Sequence, residues 1–172
     1  MRTMKAIRKT MMLLMAVLFL TACATAEERA ARQAENLKMV KESVGSQKYR
    51  IDVTQMTPMR GTSHYVTARH LTINGNEVDC SLPYVGRDDI PHLKTRGEIR
   101  MDSRIEFKGE IQNYVLQLLP KKQSGVVTFT TKYEGDDLKF TITIDNSGQA
   151  RIHLVQESRD YIDYEGTVRA IN

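Results

Sequence analysis

Beyond residue 48, apolar side chains return at every second position in run after run, and this period of two most constrains the fold. The clearest run is Leu138 to Ile144. It sets Leu138, Phe140, Ile142 and Ile144 on one side, and Lys139, Thr141 and Thr143 on the other. Ala150, Ile152 and Leu154 repeat the pattern with Arg151 and His153 outward, and Tyr49, Ile51 and Val53 alternate with Arg50, Asp52 and Thr54. Successive side chains of an extended strand point to opposite faces, so such alternation marks sheets with one buried and one wet face, typical of antiparallel pairing. Further strands are expected near 64–68, 98–102, 104–108, 113–119, 126–133 and 162–169. Strands recurring at this spacing favour a sandwich or barrel over a parallel sheet.

Turn chemistry fixes two registers. Asn74-Gly75 between alternating runs signals a tight hairpin. An even-length loop there keeps Leu71 and Ile73 on the face of Val78 and Cys80, whereas a loop of odd length would flip one set. Between Ile144 and Ala150 the parity reverses. Pairing Asp145 with Gln149 leaves Asn146-Ser147-Gly148 as the loop, with Gly148 free to turn left-handed.

One earlier segment has a different period. Ala30, Ala34, Leu37 and Val44 recur at helical spacing, with Glu27 and Glu28 at the start and Lys38 and Lys41 near the end, as the helix dipole prefers. A helix is predicted over Glu27 to Val44, stopped by Gly45. The expected fold is β-rich α+β: one N-terminal helix packed on a curled antiparallel sheet of about eight strands, with a lipocalin-like barrel as the alternative.

The first residues read as a leader. Arg2, Lys5, Arg8 and Lys9 precede the uninterrupted apolar run Met11 to Leu20, and small residues follow, the order of a secretory signal peptide. A spanning helix needs about 18 or more apolar residues, and Glu27 and Glu28 end the run too soon. Ala22-Cys23-Ala24 and Ala24-Thr25-Ala26 both fit ordinary cleavage. Leu20-Thr21-Ala22-Cys23, however, resembles the bacterial lipobox, which implies diacylglycerol on the Cys23 sulfur, cleavage before it and acylation of the new amino group. Several acyl chains on Cys23 would give stable membrane attachment. Ala24 in place of an Asp favours the outer membrane, and Ala26-Glu27-Glu28 faintly resembles a surface-export tag. The expected organisation is a signal peptide over 1–22, a lipidated tether over 23–26 and a single domain over 27–172.

Cleavage changes the charge. The full chain has 25 basic and 21 acidic side chains. The leader holds four of the basic ones, so the mature chain is formally neutral and offers no general support for nucleic-acid binding. Its 150 residues suit one domain with a real core. Once Cys23 is acylated, Cys80 has no disulfide partner; its place in the alternation with Val78 and Leu82 makes it a small buried hydrophobe rather than a nucleophile.

Two stretches carry a family likeness: Ser81 to His92, and Thr141 to Val168. They resemble a family of small lipoproteins of anaerobic gut bacteria, catalogued as domain of unknown function forty-two fifty-one. The matching motifs are the Leu-Pro-Tyr-Val-Gly-Arg turn (Leu82 to Arg87), the Asn-x-Gly-x-Ala element (Asn146 to Ala150), and Arg159, Ile162, Tyr164 and Gly166 near the end. The likeness runs from about Leu37 onward and departs at Asp88-Asp89, where aromatic or small residues are commoner. It implies a β-rich lipoprotein and brings no assigned activity.

Few residues suggest chemistry. Tyr84, Arg87, Asp88, Asp89 and His92 crowd into the segment Pro83 to His92. Asp88, Asp89 and His92 are types that ligate divalent ions, yet no paired motif lies elsewhere, and a polar surface loop with Arg87 pairing a carboxylate is expected instead. Adjacent Asp88 and Asp89 cannot flank a glycosidic bond by themselves. His64, His70 and His153 fall in strands and read as surface residues, and Asp145 to Gly148 is more simply a turn than a calcium loop. There is no Gly-x-Ser-x-Gly elbow, His-Glu-x-x-His or phosphate loop. Tyr84, Arg87, Arg159 and Tyr161 are the candidate partner-binding residues, since Tyr and Arg are enriched at binding surfaces. The competing reading packs Ile162 and Tyr164 in the last strand and pairs Arg159 with an acid.

These observations favour a lipid-anchored, non-catalytic binding or accessory protein of the envelope, with no cofactor and no metal. Its partners would be membrane lipid through Cys23 and an envelope protein or small ligand. A carrier of a small apolar ligand is one alternative, and a hydrolase using Asp88, Asp89 and His92 is another.

Overall fold

The computed structural model describes residues 28, 31, 34, 35, 38, 41–88, 98–119 and 124–171. The leader, Cys23, Asp89 and His92 therefore lie outside the described residues, as do the side chain of Asp88 and those at 98–103. The chain divides into two compact units, residues 1–35 and 36–172. In the first unit Glu28, Ala31, Ala34 and Glu35 are helical and exposed.

The second unit holds Lys38 and residues 41–45 as helix, then nine strands. These are β1 (Lys48–Pro58), β2 (His64–Asn74), β3 (Glu77–Asp88), β4 (Glu98–Glu110), β5 (Gln112–Leu119), β6 (Ser124–Tyr133), β7 (Asp136–Asp145), β8 (Gln149–Gln156) and β9 (Ile162–Ala170). All pairings are antiparallel, in the order β4-β3-β2-β1-β9-β8-β7-β6-β5. The segments 98–102 and 104–108 form one strand: β4 pairs with β3 on both sides of a bulge in which two β4 residues, 101 and 102, stand opposite Val85 of β3.

Connectivity dictates the curl. β4 and β5 are the opposite edges of the sheet, yet only Ile111 separates them in sequence. A flat sheet would hold its edges a full sheet width apart, about 4.8 Å for each strand crossed. One residue cannot span that, so the sheet rolls until its edges meet at Ile111, which is buried and donates its N–H to the Asn76 carbonyl at 2.8 Å. No ladder joins β4 to β5 among the described residues, and the result is a curled half-barrel rather than a closed lipocalin-like one. Across the roll, the Phe107 ring of β4 meets Tyr133 of β6 at 4.9 Å.

Bulges supply the bends. In β1, Thr54 is an extra, exposed residue between Val53 and Gln55 against β9, while on the other side Val66 to Ala68 of β2 bulge opposite it, with Ala68 at φ +55°. The buried series Tyr49, Ile51, Val53 therefore resumes at Met56 rather than Gln55, as a bulge requires. Opposite Val53 stands Gly166. A Cβ there would lie 2.3 Å from the Asp52 carbonyl oxygen, so the strands approach more closely than any side chain allows.

The expected registers hold. Leu71 faces Cys80 and Ile73 faces Val78; the pair that closes the hairpin is Asn74 with Glu77. The central turn residues are thus Gly75 and Asn76, with φ +60° at Gly75, a Gly-first turn that matches the strand twist. Ile144 pairs with Ala150, leaving the loop Asn146 to Gly148 with φ +82° at Gly148. Asp145 caps that loop, accepting from the Ser147 and Gln149 amides at 2.8 and 3.1 Å.

The helix end differs from expectation. Gly45 remains helical, and Gln47 takes the left-handed conformation at φ +56°. This turns the Gln47 carbonyl onto the Gly75 amide at 2.7 Å and ties the helix exit to the β2–β3 turn. The preceding turn seats Val44 in the core, and the Val44 carbonyl accepts from the Tyr114 hydroxyl at 3.0 Å.

Candidate functional site

The β2–β3 ladder ends at the pair His70–Ser81, so β3 from Leu82 onward has lost β2 as a neighbour. What takes its place is the β8–β9 connection. The Asp160 amide donates to the Arg87 carbonyl, and the Arg87 amide donates to the Asp160 carboxylate, both at 3.2 Å. The Tyr84 hydroxyl sits between the carbonyls of Arg87 (2.7 Å) and Asp160 (3.1 Å) and donates to the nearer. Gly86 makes this possible: a Cβ there would be 2.7 Å from that hydroxyl. From β9, Tyr164 donates its hydroxyl to the Pro83 carbonyl at 2.7 Å. The described part of the first family-like stretch, residues 81–88, and the second stretch, Thr141 to Val168, are therefore one contiguous structure.

Arg159 is its centre. The side chain is only 5% exposed. Its guanidinium stacks on Tyr84 at 5.3 Å and on Tyr133 at 5.4 Å, and pairs with Glu134 at 2.8 Å. Aromatic faces and a carboxylate are the surroundings a desolvated guanidinium requires. Burial raises the Tyr133 phenol above its ordinary value and the Glu134 charge adds to this, while Arg159 opposes. Burial likewise holds the Tyr164 phenol well above its usual range, so both stay neutral donors.

Beside this cluster runs an inward polar row. Thr131 and Gln156 flank Leu138 and are 0% and 4% exposed. The Thr131 hydroxyl, both amide atoms of Gln156 and the Ser158 hydroxyl complete no hydrogen bond among the described residues. Asp136 lies nearby, accepting from the Ser158 amide at 3.3 Å. Partial burial pushes its carboxyl up, but hydrogen bonds from Asp137 and Ser158, with the Gln156 amide close by, bring it below the ordinary value.

The four candidate residues have different fates. Tyr84 is buried and meets the nearly inaccessible side chain of Arg159, and Arg87 joins them through its backbone. Tyr161 stands apart: it is 38% exposed, and its ring lies 5.2 Å from His153, whose Nδ1 is 2.7 Å from Asp163. Ile162 and Tyr164 are fully buried. Glu134 and Tyr133 were not singled out from sequence, although Glu134-Gly135 between alternating runs is a hairpin signal; both residues of that turn have positive φ, at 53° and 85°.

Cys80 is 1% exposed, and its Sγ lies 3.6 Å from the Ile105 carbonyl; burial, with Asp79 and Glu106 adding, pushes the thiol far up. Among the described residues, no group of three or more His, Cys, Asp or Glu is placed to hold a metal. Asp88 is described only through its backbone, which pairs with Glu98. Two surface clefts, of about 390 and 360 Å³, are lined by charged residues: Glu77, Asp79, Lys108 and Glu110 in one, Asp145, Arg151 and Glu165 in the other. Neither is the dry apolar cavity that a carrier needs. Among the described residues, no helix is long and apolar enough to cross a membrane.

Comparison with known proteins agrees with the motifs. The model of a domain of unknown function, DUF4251, matches residues 31–168. The crystal structure of a DUF4251 family protein from Bacteroides eggerthii has the same fold, with a TM-score of 0.61 over 80% of this chain and 91% of that one, at 11% identity. No curated protein matches. From the family match over most of its length, and from a shared half-barrel, the chain belongs to the DUF4251 family.

Proposed function

We propose that this protein is a lipid-anchored, non-catalytic binding or accessory protein of the bacterial envelope, tethered at Cys23 to the outer membrane. The observation that carries the reading is the order of the leader: a basic start, the apolar run Met11 to Leu20, then Leu20-Thr21-Ala22-Cys23. Among the described residues, the polar cluster of the folded domain reads as structural rather than catalytic. The polar groups that converge, Tyr84, Arg159, Glu134 and Asp160, bind one another and leave no activated nucleophile. Cys80, the cysteine of the domain, is buried with its thiol neutral.

Intact-mass analysis of the natively expressed protein tests the anchor. The expected species begins at Cys23 and carries acyl chains, and Cys23→Ser moves the protein out of the membrane fraction. An unmodified chain beginning at Thr25 or Glu27 would overturn the reading. Crosslinking in native envelopes, followed by identification of the captured partner, tests the accessory role.

A further inference from the structure

The two edges of the half-barrel are built differently. β4 presents Arg104, Glu106, Lys108 and Glu110 at alternate positions along its described length. Charges of mixed sign along an edge are how sheets keep foreign strands from pairing. β5, Gln-Asn-Tyr-Val-Leu-Gln-Leu-Leu, has no charged residue. Its Val115 and Leu118 are 56% and 50% exposed, among the few large apolar side chains so placed. No described strand other than β6 pairs with β5. A bulge between Gln112 and Val115, with Asn113 at φ +55°, bends the start of the strand, and Val115 to Leu119 then runs in unbroken register.

We propose that β5 is where a second copy of this chain pairs, edge to edge and antiparallel about a two-fold axis through Gln117. Self-complementarity selects this occupant. With Gln117 opposite Gln117 of the second copy, Leu116 meets Leu118 and Val115 meets Leu119. Leu116 and Leu118 share the face of their β6 partners Val127 and Gly125, so the two copies join four leucines into one apolar patch. Val115, Gln117 and Leu119 line the opposite face, with the glutamine pair at its middle. No like charges face each other at any position, which a two-fold pairing of β4 could not guarantee. The operator is a closed one, so the pairing ends at a dimer rather than a filament. The mode is strand addition: main-chain hydrogen bonds hold the copies, and alternate side chains set the register. It stands independently of the anchor at Cys23.

The test uses the full chain in a bacterial host, with Gln117→Cys and a short bifunctional maleimide. Opposed Cβ atoms in an antiparallel pair lie about 5 Å apart, so a covalent dimer is expected. Neither the unsubstituted chain, which retains Cys23 and Cys80, nor Thr128→Cys on β6 should form one. Adding Leu118→Lys to Gln117→Cys should cut the dimer at least tenfold while far-UV circular dichroism stays unchanged, since Leu118 is half exposed. Absence of a Gln117→Cys dimer would overturn the proposal. So would a dimer insensitive to Leu118→Lys, or capture of a different protein by the thiol at 117.

Discussion

The Tyr164 hydroxyl donates to the Pro83 carbonyl at 2.7 Å, joining positions 81 residues apart in sequence. In the sheet, β9 and β3 are separated by β1 and β2, so this bond is a chord across the curl. It forms where β3 has outrun β2 and its carbonyls lack a strand partner on that side. Removing the hydroxyl leaves a carbonyl in the interior without its donor. Tyr164→Phe should therefore cost about 1–2 kcal/mol in urea unfolding, and Tyr161→Phe should cost nothing measurable.

Arg159 and Glu134 form the ion pair of the same cluster, one partner desolvated and the other 37% exposed. Truncation of the arginine removes two ring stacks as well as the charge pair. Arg159→Ala should destabilise by about 2–3 kcal/mol, and Glu134→Gln by about 1 kcal/mol. A double-mutant cycle should return a coupling of about 1 kcal/mol. Additivity of the two substitutions would contradict the pairing.

Gly166→Ala sets a methyl group against backbone rather than a movable side chain. The bulged β1 cannot retreat without breaking its ladders to β2 and β9. A loss of about 3 kcal/mol or more, or failure to accumulate folded protein, is expected. Gly45→Ala, at a helical position with open space around it, serves as the control and should be neutral or stabilising.

Gln47 holds a left-handed backbone that glycine adopts without strain. Gln47→Gly should raise stability by up to about 1 kcal/mol, net of the added unfolded-state entropy, provided the bond from Gly75 to its carbonyl persists. Thermal unfolding followed by circular dichroism measures this, and a lowered midpoint would contradict it.

The Asp136 carboxyl is depressed in the folded state relative to its ordinary value of 3.8. A depressed folded value gives stability that is present above the unfolded value and lost as pH falls through the folded one. Stability should therefore decline below about pH 4 in part through this group. Asp136→Asn should show a shallower decline over that window, read from unfolding midpoints at pH 5, 4 and 3.

Faces and turns were legible in the chain because they depend on neighbours a few residues away. The pleat alternates side chains at every step, so Leu138, Phe140, Ile142 and Ile144 could only share a face, and all four are buried. Loop parity then aligned Leu71 with Cys80 and Ile144 with Ala150. Of the candidate site, the residues were legible and their arrangement was not. Tyr84 and Arg159 carry the composition of a binding surface, yet they face inward on each other. Their ring partner Tyr133 and ion-pair partner Glu134 come from a hairpin 25 residues or more away.

By itself, then, the sequence determined local matters: period, facing, turn position and the helix before the sheet. Only the tertiary structure decided that one residue, Ile111, would join opposite edges, that Gly166 would lie against Asp52, and that Tyr164 would reach Pro83. The physical reason is range. Alternation and turn propensity are energies of adjacent residues, whereas the curl arises from bulges at Thr54 of β1 and in β4 opposite Val85, and from the meeting of strands far apart in the chain. A bulge leaves no period of its own to read, and close approach between strands is visible only once both are in place.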